Sequence, residues 1–291
     1  MSSRTEPASR ALRRLRDLDP RPPLWDREAL AARYCPFCDC AGEPFVERPD
    51  GLVVRLCGSC GCAYVSPAPD AEQVARFYHD YRGQHRVEAF AGSPSAARLE
   101  MPTTDEPERL AKRIRSAQAQ DDYRVQEIAS LMELEGARVL DVGCGVGQLL
   151  HLLASLGAQI EGIDPDPDAV AFARDTLELG GVRQGSIEDV PREERYDLIV
   201  LQDVLEHMLE PRAVLERAAA LLAPGGLLYL WTPNATFVVD DPEPLVLRTD
   251  WEHLQFPSAR TLMFLAGELG LVPLHLECTG YLGSVEDAEH H

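Results

Sequence analysis

The chain is 291 residues long, 45% hydrophobic and 26% charged, with a formal net charge of −20. That length buries one sizeable core and leaves room for a smaller module. An acid excess of this size repels phosphate backbones and anionic lipid surfaces, which speaks against a nucleic-acid or membrane partner. No apolar run approaches the roughly 18 residues of a membrane span, and no apolar segment with a cleavage site marks the N-terminus, so a cytoplasmic protein is expected.

Residues 1–30 carry Pro20, Pro22 and Pro23 without a long apolar period, and Asp17, Asp19 and Asp26 interrupt the arginines at 10, 13, 14 and 16. This predicts a mobile lead-in. Six of the eight cysteines then fall between Cys35 and Cys62. Cys35-Pro36-Phe37-Cys38 and Cys57-Gly58-Ser59-Cys60 form two C-x₂-C pairs with 18 residues between them, a spacing that offers four thiolates tetrahedrally to Zn²⁺. A site closed by four thiolates has no open position, so its zinc is structural. Cys40 and Cys62 stand two residues beyond each pair, as spare thiols or substitutes. The stretch 43–56, with Asp50-Gly51 at its turn, reads as the hairpin between the knuckles. The ribbon thus spans 31–70. A helical linker spans 71–135, with one helix through Val74, Phe77, Tyr78 and Tyr81 and another from about Arg109 to Leu134.

From Gly136, β-rich runs at 137–142, 159–163, 182–185, 196–201 and 226–231, with a weaker one at 271–277, alternate with amphipathic helices. One helix carries Leu149, Leu150, Leu153 and Leu156, and another opens at Pro211 and stops at Pro224-Gly225-Gly226. Such alternation predicts an α/β domain over 136–291, built on a mostly parallel sheet.

The run from Val139 to Gln148 is a buried strand breaking into a glycine turn that starts a helix. Its glycines, Gly143, Gly145 and Gly147, read G-x-G-x-G, whereas a dinucleotide-binding turn reads G-x-G-x-x-G. Asp141 just before the turn suits a cationic ammonium and would repel two phosphates. Asp164 ends the next strand, 23 residues after Asp141, where a nucleotide site places an acceptor for two ribose hydroxyls. The competing reading makes the turn a tight strand-to-helix connection and Asp164 a helix cap.

Strand four runs through Gln202 into Asp203-Val204-Leu205-Glu206-His207, and Leu222-Ala223-Pro224-Gly225-Gly226 precedes strand five. With these segments the chain resembles the class I S-adenosylmethionine-dependent methyltransferases over about 136–276, which have a Rossmann-like fold. The rubredoxin-like ribbon before Tyr64–Pro69 looks like the N-terminal arm of bacterial small-molecule methyltransferases. The resemblance implies S-adenosylmethionine as methyl donor. It implies Asp141, Gly143 and Gly145 around the methionine part, with Cys144 and Gly147 in the same turn. Asp164 would take the ribose, Ser186 and Ile187 the adenine edge, and Gln202 and Asp203 would add contacts from strand four. Many relatives carry Asp where Ser186 stands, which would pass the adenine contact to backbone, water or Glu188. The family's seventh strand is poorly supported after Gly283.

Methyl transfer is an in-line displacement in which an acidic acceptor proton needs a base. His207 is the first candidate, then His253 in the His-Leu-x-Phe-like segment 253–256, with Glu206 beside them. Each has a structural alternative, as a loop-ordering or hydrogen-bonded residue. Tyr78, Tyr81 and Trp251 are candidates for the acceptor pocket or for the core. The expected acceptor is a small molecule methylated at O, N or C, such as a secondary metabolite or activated sugar, with the protein a monomer or homodimer. The alternatives are a protein or RNA methyltransferase that uses the ribbon as a recognition arm, and an inactive donor-binding scaffold.

Overall fold

The computed structural model describes residues 25–48, 51–79, 107–236 and 253–278, with 77–79 in backbone alone. Between and after the cysteine knuckles run three short antiparallel strands, β1 (Glu43–Glu47), β2 (Val53–Leu56) and β3 (Ala63–Val65). A fourth strand, β9 (Gln255–Phe256), comes from far along the chain and pairs Tyr64 with Gln255 and Ala63 with Phe256. One face of this sheet buries Val54, Ala63, Val65 and Phe256. Trp25, within the stretch expected to be a mobile lead-in, is part of the same cluster and only 4% exposed. The ordered ribbon therefore begins earlier than its prolines suggested, because a large aromatic ring has an apolar face to cover. Of the hairpin turn, Gly51 has φ +78° and Asp50 lies outside the described residues.

Beyond α1 (Ala71–His79), the described chain resumes with α2 (Pro107–Ser116) and α3 (Tyr123–Leu131). The single helix expected from 109 to 134 is two. The break spans 117–122, with a short 3-10 turn at Ala119–Asp121, and the Asp122 carboxylate accepts from the Arg124 N–H (3.0 Å) and so starts α3 as its cap.

Five strands then form one sheet in the order β6-β5-β4-β7-β8, with every pair parallel. They are β4 (Arg138–Val142), β5 (Gln159–Asp164), β6 (Val182–Gln184), β7 (Tyr196–Gln202) and β8 (Leu222–Trp231). The connecting helices are α4 (Gln148–Ser155), α5 (Pro167–Ala171) and α6 (Pro211–Leu221), and α7 (Ala259–Glu268) follows β9. Strand alternation divides the core between the two faces. Val139, Leu198 and Val200 pack with α3 and α4, while Leu140, Val142, Ile199 and Leu201 pack with Leu215, Ala218 and Leu221 of α6. Helix α2 lays Leu110, Ala111 and Ile114 against Leu150, Val170 and Phe172. The ribbon joins the second face directly, since Phe37, Cys57, Cys60 and Tyr64 belong to the same cluster as Leu140 and Ile199.

The weak strand expected at 271–277 is not formed. Val272 and Leu274 are 78% and 64% exposed, and the segment is irregular from 271 to 278. Pro273 in its middle lacks the N–H that a ladder would use. Residues where a seventh strand was sought lie outside the described part.

The chain lays down β4, β5 and β6 toward one edge and returns to place β7 and β8 on the other. In open α/β sheets ligands bind at such a reversal, outside the carboxyl ends of the strands. Here that crevice lies between the ends of β4 and β7.

Candidate functional site

The register of β4 on β5 pairs Asp141 with Gly162, two residues before Asp164, so both carboxylates emerge at the same end of adjacent strands. Asp164 is 9% exposed and holds the glycine turn: its Oδ2 accepts from the Gly145 N–H (2.8 Å), and its Oδ1 accepts from Asp166 N–H (2.9 Å). The N–H groups of Gly143 and Cys144 both donate to the Ile163 carbonyl, at 2.8 and 3.2 Å, and Gly147 N–H donates to the Cys144 carbonyl at 2.9 Å. The N–H groups of Gly143, Cys144, Gly145 and Gly147 are thus spent on the protein, unlike those of a phosphate-cradling loop. A Cβ on Gly143 would stand 2.7 Å from Val204 Cγ2 at φ +75°, and one on Gly147 2.6 Å from Leu179 Cδ1 at φ +80°. Cys144 turns inward, where burial raises its thiol pKa, so it reaches the site through its backbone alone.

Asp141 is buried, and the loss of water, followed by the charge of Asp164, pushes its carboxyl up to about 7 against a weaker pull from Arg124. Two close carboxylates with too little positive charge fit a cationic ligand. Three results follow. Binding of a cationic donor strengthens as pH rises through 7 and releases a proton, so calorimetry finds affinity about tenfold weaker at pH 6 than at pH 8. The ligand-free protein loses stability from about pH 4 to about pH 7, because the folded state keeps a proton that the unfolded chain has released. Asp141→Asn removes both dependences; a flat affinity profile in the native protein would refute this account of the carboxyl.

Arg124 was missed in the sequence, where it lay inside one long predicted helix. Its guanidinium bonds Asp122 and the Gln202 Oε1 (2.8 Å), tying the start of α3 to the end of β7. The cap signature Asp122-x-Arg124 was the available signal. Gln202 in turn donates to Asp203 Oδ2 (3.2 Å), and Asp203 turns the chain out of β7 at φ +51°. On the other flank Ile187 is buried, while the Ser186 hydroxyl and N–H both donate to Asp189 Oδ2. The Ser186 hydroxyl is therefore committed to a local cap.

Glu206, His207 and His253, distant in sequence, come together. One ligand-type atom of each lies within 4.8 Å of the others. The imidazoles meet edge to face with centroids 4.5 Å apart, and Glu206, wholly buried, accepts from the Thr232 hydroxyl (3.0 Å). Thr232 follows β8 and was not anticipated. Of the expected pocket aromatics, Tyr81 and Trp251 and the Tyr78 side chain lie outside the described residues.

The four knuckle cysteines converge, with all Sγ atoms within 4.8 Å of one another. Cys35 Sγ is 3.5 Å from Cys60 Sγ, and Cys38 Sγ 3.5 Å from Cys57 Sγ. The knuckles are built alike. Cys35 N–H donates to the Cys40 carbonyl and Cys57 N–H to the Cys62 carbonyl, while Asp39 and Gly61 take the same left-handed position at φ +56° and +84°. Cys40 and Cys62 thus close the two loops through their backbones. Four thiolates this close repel one another unless a cation sits among them, so the donor set fits zinc.

The methyltransferase domain family matches residues 107–276, more than half of the chain. The chain belongs to this family. A ubiquinone biosynthesis O-methyltransferase of Xanthomonas euvesicatoria pv. vesicatoria (strain 85-10) is 42% identical over 124 residues, covering 40% of this chain and 52% of that protein. The corresponding protein of Xanthomonas axonopodis pv. citri (strain 306) is 41% identical over the same length. The chain spans about half the length of the curated relatives it matches. A solved magnesium protoporphyrin IX methyltransferase from Synechocystis PCC 6803, with bound SAH, aligns with 69% of this chain and 89% of its own at a TM-score of 0.47 and 21% identity. No helix among the described residues is long and apolar enough to cross a membrane.

Proposed function

We propose that this protein transfers the methyl group of S-adenosylmethionine to an oxygen of a small-molecule acceptor. The observation that carries the reading is the pair of buried carboxylates, Asp141 and Asp164, closing adjacent strands over a glycine turn whose Gly143, Cys144, Gly145 and Gly147 N–H groups are bonded within the protein. The family match supports methyl transfer, and the O-methyltransferase relatives support oxygen as the acceptor atom. The acid excess argues against RNA.

In this reading Asp141 attracts the donor's ammonium, Arg124 its carboxylate, and Asp164 its ribose hydroxyls, with Ile187 flanking the adenine. Gly143, Cys144, Gly145 and Gly147 shape the floor, and Gln202 and Asp203 frame the β7 side. The donor supplies a methyl group on a positively charged sulfur. The protein aligns the acceptor oxygen behind that methyl and removes its proton. His207 takes the proton and His253 shares or relays it, while Glu206 fixes the orientation of the pair. Cys35, Cys38, Cys57 and Cys60 hold one structural zinc. This divides the chain into a lead-in, a ribbon that takes in Trp25 and runs to about residue 70, a linker over 71–135 and a catalytic domain from 136, although the family match itself begins at 107. Cysteines that hold a metal instead of bridging one another favour a reducing compartment such as the cytoplasm.

The test is methylation of a panel of phenols, amines and activated sugars with labelled donor, read by product mass. His207→Ala lowers kcat by about 10²–10⁴ while donor affinity holds. A near-normal rate would move the base to another residue, and labelled amines or carbons in place of ethers would overturn the oxygen assignment.

A further inference from the structure

The two segments that carry His207 and His253 are tied to the ribbon as well as to the parallel sheet. Arg48 donates to the His253 carbonyl (2.6 Å), and one other ribbon side chain, that of Arg33, reaches both segments. Arg33, two residues before the first knuckle cysteine, is anchored on β3 by its Nε to the Val65 carbonyl (2.9 Å) and by an exchange of bonds between its backbone and the Ser66 hydroxyl (3.0 Å each). Its two terminal nitrogens then reach out of the ribbon. One donates to the Leu209 carbonyl (3.2 Å), just past His207. The other donates to the Leu254 carbonyl (2.7 Å) and Gln255 Oε1 (2.9 Å), just past His253.

Gln255 completes the clasp. Its amide nitrogen donates to the carbonyls of Leu205 and Met208, the residues on either side of the Glu206-His207 pair. Leu254 N–H donates to the Glu206 carbonyl (2.7 Å), and the Leu254 carbonyl accepts a second bond from Val65 N–H (2.8 Å). A planar guanidinium with donors in a fixed fork can hold two chain segments at a set separation; an ammonium cannot. Hydrogen-bonded support of this kind sets the orientation of groups that must act within fractions of an ångström.

We propose that Arg33 is a positioning residue for methyl transfer, clasping through Gln255 the segments that bear His207 and His253 so that the cysteine ribbon sets the geometry of the acceptor side of the site. The inference rests on the reading of that pair as the acceptor-side machinery. In this role Arg33 acts through the two histidine-bearing segments and not by contact with donor or acceptor.

The test uses the full-length, zinc-loaded protein and compares Arg33→Met, Arg33→Lys and Gln255→Glu. The last keeps an ion-pair partner for Arg33 but removes the donors to Leu205 and Met208. Zinc per chain and donor affinity by calorimetry stay within about twofold of the parent for all three. The imidazole resonances and titration midpoints of His207 and His253, read by NMR without any acceptor, shift in Arg33→Met and Gln255→Glu. On the best acceptor of the panel, kcat falls at least tenfold while the donor KM holds. Arg33→Lys regains thermal stability but not the imidazole signature or the rate. The proposal is overturned if the resonances and kcat match the parent, or if Arg33→Lys restores all readouts together, which would make Arg33 a fold-stabilising residue. If Arg33→Met does not fold, Gln255→Glu decides by the same readouts. Because the imidazole measurement needs no turnover, a protein with no methyl transfer on any acceptor would sink the functional reading and leave this inference to be judged by the spectra.

Discussion

Replacing Asp164 by alanine weakens S-adenosylmethionine binding by about a hundredfold. Two ribose hydroxyls on one carboxylate are charge-assisted hydrogen bonds of about 1.5 kcal/mol or more each, and about 3 kcal/mol corresponds to that factor. The structure adds a second reason for a large effect. The same carboxylate accepts from Gly145 N–H and Asp166 N–H, so its removal also releases the glycine turn. Asp164→Asn separates the contributions, since its carboxamide keeps one oxygen for the backbone bonds but loses the charge and one acceptor. It falls between alanine and the parent. Isothermal titration of the three proteins measures this directly, and equal affinities would take Asp164 out of the site.

Removing the metal has the second largest expected effect. Structural zinc contributes about 10–16 kcal/mol of apparent binding free energy in small peptides, as much as the whole stability of an ordinary domain at about 5–15 kcal/mol. Stripping it therefore unfolds the ribbon. The damage extends beyond the knuckles, because β3 supplies the partner for β9, and the Cys60 carbonyl accepts from the hydroxyls of Ser258 and Thr261 at the start of α7 (3.0 Å each). Metal-replete protein carries one zinc per chain. After chelation, hydrogen exchange accelerates at 254–262 while β4 and β7 stay protected. Less than about half a zinc per chain, or unchanged exchange at 254–262, would contradict the closed four-thiolate site or its coupling to the segment that follows His253.

Much of this was legible in the residues. The strands of the parallel sheet were marked by short apolar runs, and β4, β5 and β7 fall within a residue or two of their expected limits, since a strand buried on both faces needs continuous hydrophobicity. The glycine turn and the cysteine pairs were legible for the same reason: each demands particular residue types at a set local spacing. What failed was long-range or depended on a single residue. Nothing local to Gln255-Phe256 says that it completes the sheet of a ribbon some 190 residues earlier, and Arg33 gives no sign of its reach to Leu209 and Leu254. The predicted helix is interrupted at 117–122, and Asp122 begins its second part through a cap. The weaker run at 271–277 carries Pro273, which has no N–H for a ladder, and its Val272, Leu274 and Leu276 stay exposed. Cys40 and Cys62 also close the knuckle loops with their carbonyl oxygens, which their side chains gave no sign of.

The most direct measurement is a crystal structure of the full chain with S-adenosylhomocysteine, the donor after loss of its methyl group. The account predicts the ribose hydroxyls on Asp164, the amino group toward Asp141, and the sulfur facing the His207–His253 pair. A nucleotide whose phosphates lie over Gly143–Gly147, or an analogue bound away from both aspartates, would contradict it.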